Sequence, residues 1–127
     1  MDNFCRIYTT GLLTINDLKF QISELLDLKK TSISNFASEF VHVWITTNDE
    51  FDKRREMEFP DGFLYFKYSI EFDFKDEEVK EFQVDLISKT LEWLWEQDMA
   101  AVAACDYEEK LPQSGGYKSL QQPWPKK

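Results

Sequence analysis

Residues 61–74 read DGFLYFKYSIEFDF, an Asp-Gly followed by twelve alternating positions. Alternation of apolar and mixed side chains has the two-residue period of a strand, whose successive side chains point to opposite faces. Leu64, Phe66, Tyr68, Ile70, Phe72 and Phe74 share one face, and its uniform apolarity predicts a core face. Phe63, Tyr65, Lys67, Ser69, Glu71 and Asp73 share the other. Two aromatics on a face otherwise suited to water need a cover or a ligand. Three remain open: nucleic-acid bases stacked on the rings, a protein partner, or the chain's own C-terminal tail.

Upstream, FVHVWITT (40–47) predicts a strand with Val41, Val43 and Ile45 inward and Phe40, His42, Trp44 and Thr46 outward. Between these strands, NDEFDKRREMEFPDG (48–62) reads as a charged loop or a long hairpin turning at Pro-Asp-Gly. At the N-terminus FCRIYT (4–9) is a short strand, with Cys5, Ile7 and Thr9 on one face. A helix follows from Thr14, which suits an N-cap with Asp17 at the capping-box position. It is expected to run to about Leu28 on a stripe of Ile15, Leu18, Ile22, Leu25 and Leu26, with Lys29 and Lys30 at its negative end. TSISNFAS (31–38) reads as a polar connection.

Residues 75–99 predict the longest helix. Asp76, Glu77 and Glu78 crowd its first turn, and Val79, Phe82, Leu86, Ile87, Thr90, Leu91 and Leu94 form its buried face. AAVAACDY (100–107) is a final strand of small residues, suited to close packing beneath a helix. The order β-α-β-β-α-β predicts an α+β, ferredoxin-like fold: a four-stranded antiparallel sheet in order 4-1-3-2, two helices on one face, and an irregular C-terminal tail. Residues 1–109 form the expected single domain, and 110–127 a tail packing on it, with Leu120 and Trp124 able to cover the outer face.

The 127-residue chain is long enough for a core without staples. Its net charge is −9, and residues 110–127 contribute four lysines and no acid, which leaves −13 on residues 1–109. Such a body repels phosphate backbones and attracts basic partners. No apolar run approaches the length of a membrane span, so no membrane partner is expected. MDNFCRIYTT lacks the basic and apolar regions of a signal peptide, which points to the cytoplasm. Cys5 and Cys105 then read as reduced thiols in no metal spacing. They open the first strand and close the last, which predicts that they lie close together beneath the helices.

DGFLYFKY resembles the strand-3 motif of RNA-recognition domains at Gly62, Phe63, Tyr65 and Tyr68, with Tyr8 in RIYTTGL as a further stacker. Asp61 stands where that motif carries a base, and Leu64 where it carries a small residue. Repulsion of a polyanion by the acidic body adds to these departures, so nucleic acid is disfavoured as a partner and stays the alternative reading. Enzyme chemistry has little to build on. His42 is the single histidine and stands in no triad or zinc spacing, so no metal or cofactor is expected. Carboxylate pairs are too common to mark acid–base work, and Gly115-Gly116 lacks a phosphate loop around it. TTGLLTIND has none of the arginine that ferredoxin-like acyl-phosphate hydrolases use to hold an anion.

The most distinctive stretch is LEWLWEQDMAAVAACDYEEKLPQSGGY (91–117). Its run Ala-Ala-Cys-Asp-Tyr-Glu-Glu-Lys-Leu-Pro, then Gly-Gly-Tyr, resembles small immunity proteins of bacterial toxin–immunity systems, including contact-dependent inhibition. YFKYSIEF and the Leu94-Trp95 pair add to the likeness. The resemblance implies a cytosolic, non-enzymatic protein that binds and neutralises one cognate toxin domain. Cys105 to Pro112 would then mark a corner at which the last strand exits, with Asp106 and Glu109 bonding its backbone. Charge argues the same way independently. Nuclease sites are cationic because they bind phosphate, and an acidic inhibitor is steered to them. The expected contacts are Asp49, Glu50 and Asp52 in the long loop, Glu108 and Glu109 at the corner, and outward Trp44, Phe63 and Tyr65. A sheet-to-sheet homodimer is the third reading.

Overall fold

The computed structural model describes residues 3–58, 61–75 and 80–116. It is a mixed α+β structure built on an antiparallel sheet. The elements run β1 (Phe4–Thr10), α1 (Ile15–Leu25), β2 (Lys29–Lys30), β3 (Asn35–Ala37), β4 (Val41–Thr47), β5 (Tyr68–Phe74), α2 (Lys80–Glu96) and β6 (Ala100–Ala104). Short 3-10 turns lie at Arg55–Met57, Gly62–Tyr65, Glu108–Lys110 and Pro112–Gly116. The sheet order is β2-β3-β4-β5-β1-β6.

Six strands stand where four were expected. The two additions come from residues 29–37, which read as a helix end and a polar connection. Lys29 and Lys30 pair with Ala37 and Phe36 instead of capping a helix, because α1 stops at Leu25 and the chain reverses through Asp27 at φ 53°. Phe36 pairs with Val43 and is buried with the core, so one phenylalanine among serines holds the extension in place.

Alternation along the strands sorts the two faces. Cys5 and Ile7 of β1, Val41, Val43 and Ile45 of β4, Ile70, Phe72 and Phe74 of β5, and Ala101 and Ala103 of β6 join one core. Leu18 and Ile22 of α1, and Ile87, Leu91 and Leu94 of α2, belong to the same core, so both helices serve one face of the sheet. The alanines of β6 leave room for α2, whose Trp95 is anchored when its Nε1–H donates to the Ala101 carbonyl at 3.1 Å. Helix α1 begins as its sequence dictates: the Thr14 hydroxyl accepts from the Asp17 N–H at 3.1 Å. Asp76, Glu77, Glu78 and Val79, expected in the first turn of the longest helix, lie outside the described residues.

β6 ends at Ala104 rather than 107. The chain then turns so that Tyr107 and Leu111 enter the core. Gly115, at φ 74°, brings its backbone against β6, where an added Cβ would sit 3.1 Å from the Ala103 carbonyl oxygen. Residues 110–116 therefore pack on the last strand. Leu120 and Trp124 lie outside the described residues.

The main departure is at the stretch that opened the sequence analysis. Its strand begins at Tyr68, not Phe63; Gly62–Tyr65 form a 3-10 turn. The alternation holds for Tyr68, Ile70, Phe72 and Phe74 and fails before them. Leu64 is exposed, and Phe63 and Phe66 are buried in a second cluster with Ala100, Val102 and Tyr8, on the face opposite the helices.

Candidate functional site

The long loop 48–67 folds back over part of the outer sheet face. Asn48 closes it. Its side-chain amide donates to the Leu64 carbonyl at 2.9 Å and the Phe66 carbonyl at 2.8 Å, and its Oδ1 accepts from the Glu50 N–H. Asp52 shapes the next turn: Oδ1 accepts from the N–H groups of Arg54 and Arg55, which hold its carboxyl below the usual range. Gly62 lets the loop cross itself. A Cβ there would lie 2.6 Å from the Glu56 carbonyl oxygen.

These devices press Phe63 onto Tyr8, edge to face, with centroids 5.5 Å apart. Tyr65 lies beneath the Arg55 guanidinium at 4.1 Å, a cation–π contact. Glu56 is drawn under the same loop. Burial raises its carboxyl above the usual range, partly offset by a hydrogen bond from Thr10. Phe63 is therefore corrected from an outward contact to a buried wedge, and the expected trio of Tyr8, Phe63 and Tyr65 is not an open platform. The loop covers the aromatics that alternation had seemed to leave bare.

The outer face beyond the loop carries Phe4, Arg6, His42, Trp44, Glu71 and Asp73. Register places Trp44 beside Glu71 and Glu71 beside Arg6 in one row, and His42 beside Asp73 and Asp73 beside Phe4 in the next. Arg6 binds Glu71 at 2.6 Å and donates to the Tyr8 hydroxyl at 3.2 Å. His42 and Trp44 meet edge to face at 5.8 Å. Trp44 is thus a half-buried member of an aromatic and charged strip, on the face foreseen for it.

The expected acidic contacts do not converge. Loop 48–67 leaves from the end of β4 and enters β5, at the sheet end that also holds Thr10 and Ala100. Glu108 and Glu109 follow the far end of β6, beside the start of β1. Seven residues of strand separate the two ends by about 20 Å. Glu109 is exposed, whereas Glu108 is half-buried, and burial raises its carboxyl above the usual range.

Asp49 and Glu50 are exposed at the loop end and have unforeseen company. Phe51, Leu64 and Leu12 are exposed large apolar side chains, Leu12 fully so. Phe51 and Leu64 are tied together through Asn48, since the Phe51 N–H donates to the Asn48 carbonyl. Leu12 follows Thr10 at the same end, next to Leu13, whose carbonyl accepts from the Tyr68 hydroxyl. The signal in the sequence was Phe51, a lone aromatic between acids. Carboxylates around apolar anchors can take a partner that presents cations and an apolar surface. Among the described residues no group of three or more His, Cys, Asp or Glu is arranged to hold a metal ion, and no helix is long and apolar enough to cross a membrane. Comparison with protein-family models, with curated proteins and with solved structures gives no match to this chain.

Proposed function

We propose that this chain is an immunity protein, a non-enzymatic inhibitor that captures a basic toxin domain, a nuclease in the simplest case, in the cytoplasm. The observation that carries this reading is the −13 charge of residues 1–109 together with exposed carboxylates and apolar side chains at one end of the sheet, Asp49 and Glu50 beside Phe51, Leu64 and Leu12. Surplus charge speeds encounter with a cationic partner, and buried apolar anchors slow its release. We read β4, β5, β1 and β6 with α1 and α2 as a ferredoxin-like βαββαβ unit, to which β2 and β3 add an edge extension.

The nucleic-acid alternative has less support. Phe63 is spent on Tyr8 and Tyr65 on Arg55, so base stacking would require the loop to lift. The test is co-expression with the neighbouring gene product, followed by purification at stepped ionic strength. A stable one-to-one complex whose association slows as salt rises, and which suppresses the toxin's activity, is expected. Saturable binding of a single-stranded oligonucleotide at physiological salt, without a protein partner, would replace this reading with the alternative.

A further inference from the structure

Far from the loop end, tertiary structure brings the two cysteines together. The antiparallel register of β1 and β6 runs to Arg6 opposite Ala104, where β6 ends; Cys5 precedes Arg6 and Cys105 follows Ala104, and both pack with the same core. Directly opposed residues in such a pair lie about 4.5–5.5 Å apart at Cα and point to the same face. A disulfide accepts Cα separations of about 4.4–6.8 Å. The two side chains are in contact at the end of that ladder, which brings them within the range such a bond requires, and both thiols are free.

The two sulfurs differ. Cys5 is fully buried in the core, whereas Cys105 is only partly covered where β6 ends. The side-chain contact with Cys5 holds the Cys105 thiol below its ordinary value, and the Tyr107 N–H adds to this. Partial burial and the charges of Glu108 and Asp106 act against it. The same contact with Cys105, and then burial, raise Cys5. Tyr107 closes the site from within, its buried hydroxyl facing Cys5 and acting on that thiol against the two raising effects. The accessible sulfur is thus the one that reaches the thiolate, and the buried sulfur keeps its proton beside it.

We propose that Cys5 and Cys105 form an oxidation-responsive dithiol, in which Cys105 reacts first and Cys5 resolves the product into an intramolecular disulfide. The co-reactant is a hydroperoxide. The Cys105 thiolate attacks the O–O bond; that bond breaks, one oxygen stays on sulfur as sulfenic acid, and hydrogen peroxide's other oxygen leaves as hydroxide and is protonated to water. The Cys5 sulfur then attacks the Cys105 sulfur. The S–S bond forms, the S–O bond breaks, and the departing hydroxide takes the Cys5 proton as a second water. Two thiols are oxidised and one peroxide is reduced. The new bond ties the start of β1 to the corner that carries Glu108 and Glu109. This inference is independent of the partner reading above.

The test is titration of the full chain with hydrogen peroxide, read by intact mass and thiol count. Loss of both thiols and of two hydrogens, reversed by dithiothreitol, is expected. Cys5→Ser should instead accumulate a dimedone-reactive sulfenic acid on Cys105, and Cys105→Ser should resist the same peroxide dose. Disulfide-linked dimers, independent adducts on both sulfurs, or equal dimedone labelling with and without Cys5 would overturn it. Should Cys5→Ser fail to fold, alkylation of the native wild-type chain decides: Cys105 should react roughly tenfold or more faster than Cys5, and equal rates would refute the assignment.

Discussion

Gly62 shows how much one residue can carry. In the sequence it matched a nucleic-acid motif; in the fold its hydrogen stands where a Cβ would meet the Glu56 carbonyl oxygen at 2.6 Å and the Arg55 carbonyl oxygen at 2.9 Å. Backbone atoms cannot step aside as side chains do. Gly62→Ala should cost about 1–3 kcal/mol, the range for overpacking, and urea denaturation measures it; a loss below a few tenths would mean the loop adjusts freely. Glu56, beneath the same crossing, gives a pH-dependent prediction. Its carboxyl is raised by burial, so the fold holds that proton more tightly than the unfolded chain does. Between the ordinary glutamate value and the raised one, stability therefore falls as pH rises. Glu56→Gln removes that loss while leaving Thr10 an acceptor. Its thermal midpoint should exceed the wild type's at neutral pH, and the gap should close below about pH 4, where both states of the wild type are protonated. A gap that persists in acid would point to packing instead of ionisation. Neither effect was visible in the sequence, because both depend on which segment the loop crosses.

At the scale of elements, local rules worked where the chain's neighbours in sequence decide the outcome. Thr14 and Asp17 start α1, and the strands around Ile7, Val43 and Ile70 alternate as written. They failed where a distant element supplies the burial. Strand alternation would put Phe63 and Phe66 on opposite faces, yet both are buried with Tyr8, Ala100 and Val102, because a 3-10 turn brings residues three apart to one side. Phe36 likewise turns a serine-rich connection into β3, because β4 offers Val43 as its partner. Phe63→Ala should cost about 3–5 kcal/mol, as for a buried phenylalanine, and should expose the Tyr8 ring. Urea denaturation gives the first number and tyrosine quenching the second. Unchanged quenching would mean that something other than the loop covers the sheet there.

For the whole molecule, the question is where surplus charge becomes a contact. Asp52 is occupied in shaping its turn, so the clean probes are its exposed neighbours Asp49 and Glu50. If the proposed capture of a basic toxin domain holds, reversing both to lysine should slow that association roughly tenfold at low salt, within the range electrostatic steering allows, and flatten its salt dependence while stability holds. An unchanged association rate, measured by stopped flow, would move the contact to the sheet face or to the corner of Glu108 and Glu109. By itself the sequence determined the α+β class, the two helices, the core faces of the long strands and the nearness of Cys5 to Cys105. Each follows from periodicity, capping or the order of elements along the chain. Only tertiary structure decided that the sheet has six strands, that the loop covers Tyr8, and that the acidic residues divide between opposite ends. Those outcomes depend on which apolar side chains find one another across long stretches of chain, and no window of neighbouring residues contains that information.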